Sequence, residues 1–197
     1  MQNEIVAHND LKIRVQEGFF TPVESTKLLE NFIVALPWES MKIKMFGRDV
    51  VIPRLQCWIG DEGCDYSYSG KKLHRQDWTK ELLMIKEKIS QQAGLEFNSV
   101  LVNYYRDGQD SMGWHADDEK ELGINPTIAS VSLGETRRFD IKHKQNPELH
   151  YKFELTSGSL LIMRGALQHH WVHQIPAQKK VKEPRINLTF RTIKKSL

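Results

Sequence analysis

A chain of 197 residues, 40% of them hydrophobic, can bury one substantial core, which predicts a single domain over 1–197. No apolar run approaches the roughly 20 residues of a membrane helix, and the start Met1-Gln-Asn-Glu-Ile5 lacks the basic and apolar regions of a signal peptide, so a soluble, intracellular monomer with no membrane partner is expected. The 28 basic and 25 acidic residues leave a net charge of +3, which permits an anionic partner without demanding one, and two cysteines, Cys57 and Cys64, in no zinc spacing exclude a disulfide framework.

Residues 11–15 alternate apolar and polar and predict a short strand. Thr21-Pro22-Val23-Glu24 has the form of a helix start: Thr21 can cap, Pro22 suits the first helical position and Glu24 completes a capping box. Leu28, Leu29, Phe32, Ile33 and Leu36 then share one helical face, and Pro37 ends it. Alternation returns over 41–53 around Phe46-Gly47-Arg48-Asp49, which predicts a hairpin with Phe46 at its tip. A separate strand is expected over 54–60, then a turn-rich segment ending in Tyr66-Ser-Tyr68-Ser-Gly70, where Tyr66 and Tyr68 share a face if extended.

Asp77 opens a second predicted helix with Trp78, Leu82, Ile85 and Ile89 on its buried side and Gly94 as its stop. Strands dominate afterwards, over 99–106, 127–133, 138–142, 149–155, 159–163, 169–173 and 185–192. Two helices followed by about seven closely spaced strands predict a mainly-β sandwich or jelly roll with helices packed outside and an interior able to hold a ligand.

His115 and Asp117 form a His-x-Asp pair after the strand over 99–106 and a loop rich in Gly and Asp. The spacing alone favours a surface hydrogen-bonded pair; the position, at a strand edge by the mouth of a barrel, is what points to a metal. Two imidazoles and one carboxylate on one face of iron(II), with the other positions open, are the ligand set of non-haem oxygenases. For the second imidazole His169, His170 and His173 are available. His173 is preferred because it lies nearest the next polar strand and precedes a turn at Pro176. In that strand, Arg185-Ile-Asn-Leu-Thr-Phe-Arg191, alternation sets Arg185, Asn187, Thr189 and Arg191 on one face and Ile186, Leu188 and Phe190 on the other. Such a polar face usually meets solvent. Asn103 and Tyr105 repeat the pattern on another strand, however, and two guanidiniums with Asn and Tyr donors suit a dicarboxylate gripped in a bidentate fork.

Several runs fall in order between about residues 45 and 192: Asn103-Tyr-Tyr-Arg106, Trp114-His-Ala-Asp-Asp-Glu119, Ile128-Ala-Ser-Val-Ser-Leu-Gly134, Gly158-Ser-Leu-Leu-Ile-Met163, His170-Trp-Val-His173 and Pro184-Arg-Ile-Asn-Leu-Thr-Phe-Arg191. Together they resemble the AlkB family of Fe(II)/2-oxoglutarate dioxygenases, most closely the branch found in animals that repairs alkylated DNA. The resemblance implies a double-stranded β-helix core over about 99–192 with flanking N-terminal helices and a nucleotide-recognition lid over about 41–75. It implies that iron(II), 2-oxoglutarate and O2 are used, with His115, Asp117 and His173 as the catalytic metal ligands and with Asn103, Tyr105, Arg185, Asn187, Thr189 and Arg191 around 2-oxoglutarate. Within the lid it implies nucleotide contacts by Arg54, Tyr66 and Tyr68, and Phe46 resembles a finger that fills the gap left by an extruded base. Asp118 and Glu119 either favour the cationic bases 1-methyladenine and 3-methylcytosine or are surface acids.

The implied activity is oxidative demethylation of such bases in DNA or RNA, placing the protein in the cytoplasm if bacterial and the nucleus if eukaryotic. A hydroxylase of a protein or metabolite, and a non-catalytic nucleic-acid binder, are the competing readings of the same residues.

Overall fold

Thr21 starts the first helix by the chemistry expected of it: its hydroxyl accepts from the Glu24 N–H, while the Glu24 carboxylate accepts from the Thr21 N–H at 2.7 Å. Pro22 occupies the first turn of α1 (Pro22–Ala35), whose buried stripe is Leu28 and Phe32, continued by Leu36. The second helix, α2 (Lys80–Ala93), starts later than Asp77. Its cap is Thr79, whose hydroxyl accepts from the Leu82 N–H at 3.2 Å. Asp77 instead pairs with Arg75 at the surface, and Trp78 precedes the helix and donates to Asp61 at 2.7 Å. Gly94 ends α2 with φ at 68°, a left-handed conformation that glycine adopts without a Cβ penalty.

The computed structural model describes residues 3–8, 10–45, 47–64, 67–68 and 71–194. Its strands are β1 (Asn3–His8), β2 (Leu11–Gln16), β3 (Glu39–Met45), β4 (Arg48–Gly60), β5 (Ser67–Tyr68), β6 (Lys71–Lys72), β7 (Arg75–Gln76), β8 (Ser99–Tyr105), β9 (Met112–His115), β10 (Ile128–Gly134), β11 (Arg137–His143), β12 (His150–Leu155), β13 (Leu160–Arg164), β14 (Trp171–Ile175) and β15 (Arg185–Arg191). The large sheet runs β1-β2-β13-β10-β15-β8-β4-β3, with β7 parallel to β4; the small sheet runs β12-β11-β14-β9; β5 and β6 form a hairpin of their own.

One face of the large sheet packs under both helices through Val100, Val102, Val131, Ile186, Leu188 and Phe190. Its other face meets the small sheet through Leu101, Tyr105, Ile128, Phe139, Ile141, Phe153 and Trp171. Two antiparallel sheets closing on a shared interior make a double-stranded β-helix, the jelly roll expected. Among the described residues no helix is long and apolar enough to cross a membrane.

Other elements depart from expectation as well. Residues 48–60 are one strand rather than the end of a hairpin plus a new strand: β4 pairs with β3 at its start and with β8 from Leu55 to Gly60. Pro53 breaks neither ladder, because it sits where the β3 register shifts between Ser40 and Lys42 and before the β8 pairing begins. The predicted strand over 169–173 is half helix: α3 (Leu167–His170) precedes β14, so His169 and His170 are exposed while Trp171 and His173 still share the inward face. The four-residue β9, with a glycine inside it, is too short to carry a readable alternation, yet it holds His115.

Candidate metal centre and co-substrate pocket

In the β9–β14 ladder His115 stands opposite His173, and their rings meet with centroids 4.2 Å apart. The His115 Nδ1 lies 2.8 Å from the Gly113 carbonyl. A carbonyl only accepts, so Nδ1 carries the proton and Nε2 keeps a lone pair for a metal. His173 is stacked on Phe139 at 5.3 Å, and its Nε2 is 3.7 Å from Oδ2 of Asp117. The other carboxylate oxygen accepts from Nη2 of Arg191 at 2.6 Å. Ligand atoms from His115, Asp117 and His173 all lie within 4.8 Å of one another.

Electrostatics set these groups in the protonation states that a metal requires. Burial holds both imidazoles below their usual range, His173 down to about 3, with its neighbour His115 adding to the effect against the pull of Asp117. For Asp117 burial would raise the carboxyl, but Arg191 and the two rings outweigh it and keep the group at about 2.

A second cluster, Asp10, His143 and His170, has the same donor types at similar spacing. Nδ1 of His143 accepts from the N–H groups of Gln145 and Asn146 at 3.1 and 3.0 Å, so the neutral ring carries its proton on Nε2, facing Asp10. In that tautomer the nitrogen facing Asp10, 3.5 Å away, has no lone pair to offer a metal.

Beside the metal centre, β15 is buried on both faces, which removes the solvent-facing reading of its polar side. Its neighbours supply the reason: Arg185 pairs with Tyr105 and Asn187 with Asn103 on β8, and Ser132 of β10 stands opposite Asn187. Arg185 is 1% exposed and donates through Nη2 to Ser132 at 3.0 Å. Its Nε and Nη1 are buried without a hydrogen-bond acceptor among the described residues, and its guanidinium lies 5.3 Å from the centre of the Tyr105 ring. Burial, with help from Arg137 and against Tyr105, lowers Arg185 to about 10, so it is still a cation at neutral pH. An enclosed guanidinium with two unmet donors is a receptor for a carboxylate.

Asn103 faces the same cavity. Its Oδ1 accepts from Nε of Arg54 and Nε2 of Gln56, each at 2.9 Å, so both acceptor positions are used and the amide NH2 is the group left for a ligand. Asn187 and Thr189 line the cavity, but their polar atoms are engaged in the wall: Asn187 donates to Ser130 and Val131 and accepts from Thr189.

Other expectations fare differently. Arg54 does not reach outward as part of a lid; it is 3% exposed and donates to Asn103 and to the Ser111 carbonyl. Asp118 is on the outside, 3.7 Å from Lys144, and Glu119 is half-buried beside it. Phe46 and Tyr66 lie outside the described residues, and of Tyr68 only the backbone, paired with Lys71, is described.

Sequence reasoning assigned no role to Ser130, Ser132 or Arg137, and read Gln56 only as part of the run resembling a recognition lid. Ser130 and Ser132 sit two apart within an apolar strand, a signal that was available. Arg137 gave none; it is fully buried and ties together the carbonyls of Asp107, Asp110 and Pro176.

Two histidines and a carboxylate converge beside a buried guanidinium that has no carboxylate partner among the described residues, a donor set that fits a non-haem iron site with an anionic co-substrate. A family model described as the 2OG-Fe(II) oxygenase superfamily matches residues 12–191, and the chain belongs to that superfamily. The chain is 40% identical over 177 residues to the DNA oxidative demethylase ALKBH2 of Bos taurus, covering 86% of this chain and 62% of that protein. It is also 40% identical over 188 residues to the alpha-ketoglutarate-dependent dioxygenase alkB homolog 3 of the same species, covering 89% and 64%. The chain thus spans a little under two thirds of the length of these relatives. The structure of OsALKBH1 superposes with a TM-score of 0.67 over 96% of this chain and 100% of that one at 15% identity, a likeness of fold. The superfamily implies iron(II), 2-oxoglutarate and O2, and both the donor set and the unmet Arg185 donors fit them.

Proposed function

We propose that this protein oxidatively demethylates N-alkylated bases, 1-methyladenine and 3-methylcytosine, in DNA, with RNA as a second substrate. The observation that carries the catalytic half is the enclosure of His115, Asp117, His173 and the unpaired donors of Arg185 in one cavity. The substrate half is supported by the relatives, named as a DNA oxidative demethylase and an alkB homolog.

In this reading His115, Asp117 and His173 hold iron(II). Arg185 takes the far carboxylate of 2-oxoglutarate in its fork, while the Asn103 amide and the Tyr105 phenol flank it. Arg191 holds the Asp117 carboxylate ionised and aimed, and Arg54 and Gln56 fix which end of the Asn103 amide faces inward. When bound, iron(II) and 2-oxoglutarate would supply oxidation by O2, with one oxygen atom going into succinate as CO2 is lost and the other to the N-methyl carbon, which would leave as formaldehyde.

The remaining work is exclusion of water and presentation of the base. A methyl group on a Watson–Crick nitrogen is reached only after the base leaves the stack. His115, at the mouth of the cavity, offers one face for the extruded base, and Tyr68, from the chain after β4, the other. Asp118 and Glu119, next to Asp117 in the chain, are the acids that would favour a cationic base. Within this proposal the protein acts on nucleic acid inside the cell, as a monomer.

Formaldehyde and succinate measured from a methylated oligonucleotide test the proposal. Equal amounts of both support it. Succinate without formaldehyde would leave a hydroxylase of another substrate, and neither product would leave a non-catalytic binder.

A further inference from the structure

Two of the three proposed metal ligands are fixed by sheet geometry, since His115 and His173 face one another in the β9–β14 ladder. Asp117 lacks that support. β9 ends at His115, and residues 116–119 are irregular chain. Yet Asp117 is only 2% exposed, so its backbone N–H needs a partner inside the protein. The partner is a side chain from 51 residues away: Oε1 of Gln168, on α3, accepts from the Asp117 N–H at 2.9 Å.

Gln168 is itself 1% exposed. Its amide orientation follows from chemistry, because the backbone N–H only donates and must meet the oxygen. Nε2 is left against the sulfur of Met163 at 3.8 Å, a weak acceptor. The same residue is tied on its other side, where Lys144 donates to the Gln168 carbonyl at 3.0 Å and lies 3.7 Å from the Asp118 carboxylate. The segment carrying the metal-binding carboxylate is therefore anchored to α3 at two successive residues.

We propose that Gln168 is a positioning residue of the metal centre, its amide oxygen setting where the Asp117 carboxylate stands against His115 and His173. Arg191 acts on the carboxylate from the side-chain end; Gln168 acts from the backbone end. The task needs only an acceptor oxygen at this reach, opposite the Asp117 N–H. The inference rests on the metal-site reading and is independent of which molecule is demethylated.

The test is titration of the metal-free protein with Mn(II), an oxidation-stable substitute for iron(II), followed by the electron paramagnetic resonance signal of the free ion. Melting of the metal-free protein runs alongside. Gln168→Leu, which removes the acceptor, is expected to weaken Mn(II) binding by about 10- to 100-fold, the range for loss of an outer-shell partner. Gln168→Glu, which keeps an oxygen at the same reach, recovers most of it; a merely structural role would not separate the two variants. Wild-type affinity in Gln168→Leu, or equal loss in Gln168→Glu, overturns the proposal. Should Gln168→Leu fail to fold, Gln168→Asn draws the oxygen back by one methylene and must itself show weakened binding, with normal affinity again decisive against it. His173→Ala separates the two levels of inference: if it binds Mn(II) normally the metal site itself is wrong, whereas its loss alongside a normal Gln168→Leu refutes only the role of Gln168.

Discussion

Arg185 offers the sharpest test of the co-substrate pocket, because its environment predicts opposite effects on binding and on stability. Nε and Nη1 are buried without acceptors among the described residues, and only Nη2 is satisfied, by Ser132. Arg185→Lys keeps the charge and loses the fork. A hydrogen bond to a charged group contributes about 1.5–3 kcal/mol. Loss of one arm at about 1.4 kcal/mol per decade therefore raises the 2-oxoglutarate requirement about 10- to 100-fold.

Arg185→Met removes both arms and should abolish co-substrate binding. It also removes a buried cation that has no carboxylate partner among the described residues, a burial that costs several kcal/mol in real proteins. Part of that gain is lost because Ser132 is left without its donor. A net gain of about 1 kcal/mol would raise the melting temperature of the metal-free, co-substrate-free protein by about 2–4 °C for a chain of this size. Calorimetric titration with 2-oxoglutarate and melting without it are the two assays. An unchanged requirement in Arg185→Lys would refute the pocket. A melting temperature that falls in Arg185→Met would mean that the protein itself satisfies this guanidinium.

Three further outcomes follow from the same structure. His173→Ala should abolish metal binding and turnover, while His169→Ala and His170→Ala, both exposed on α3, keep most of each; metal titration of the three variants decides. Burial would raise the Asp110 carboxyl, but the Arg106 guanidinium and backbone N–H hold it below its usual value. Its contribution to stability is thus complete above the unfolded value of about 4 and is lost as pH falls through the lowered folded value, so Asp110→Asn should flatten the acid limb of a melting-temperature profile. Phe46→Ala, from the finger expected at the hairpin tip, should lower activity on methylated duplexes more than on the same sequence single-stranded. Equal losses, or a large fall in melting temperature, would assign Phe46 to the core.

The sequence alone determined what short-range physics controls. The Thr21 capping box, the Gly94 stop and the alternation of 185–191 each depend on neighbours a few residues away, and each stands as expected. His115, Asp117 and Arg185 stood out by residue type and position, but His173 was one of three available histidines, and the family resemblance is what singled out the set. Tertiary structure decided what depends on distant partners. Whether the polar face of β15 meets water or a cavity depended on β8 and β10 closing around it. That Arg54 lies behind Asn103, 49 residues away, could not be read from its own surroundings, which resemble an exposed lid strand. The same holds for the bonds from Arg191 and Gln168 to Asp117, across 74 and 51 residues. Such pairings leave no periodic trace in the chain, because a hydrogen bond between elements is set by sheet register and helix placement rather than by the spacing of residues along the sequence.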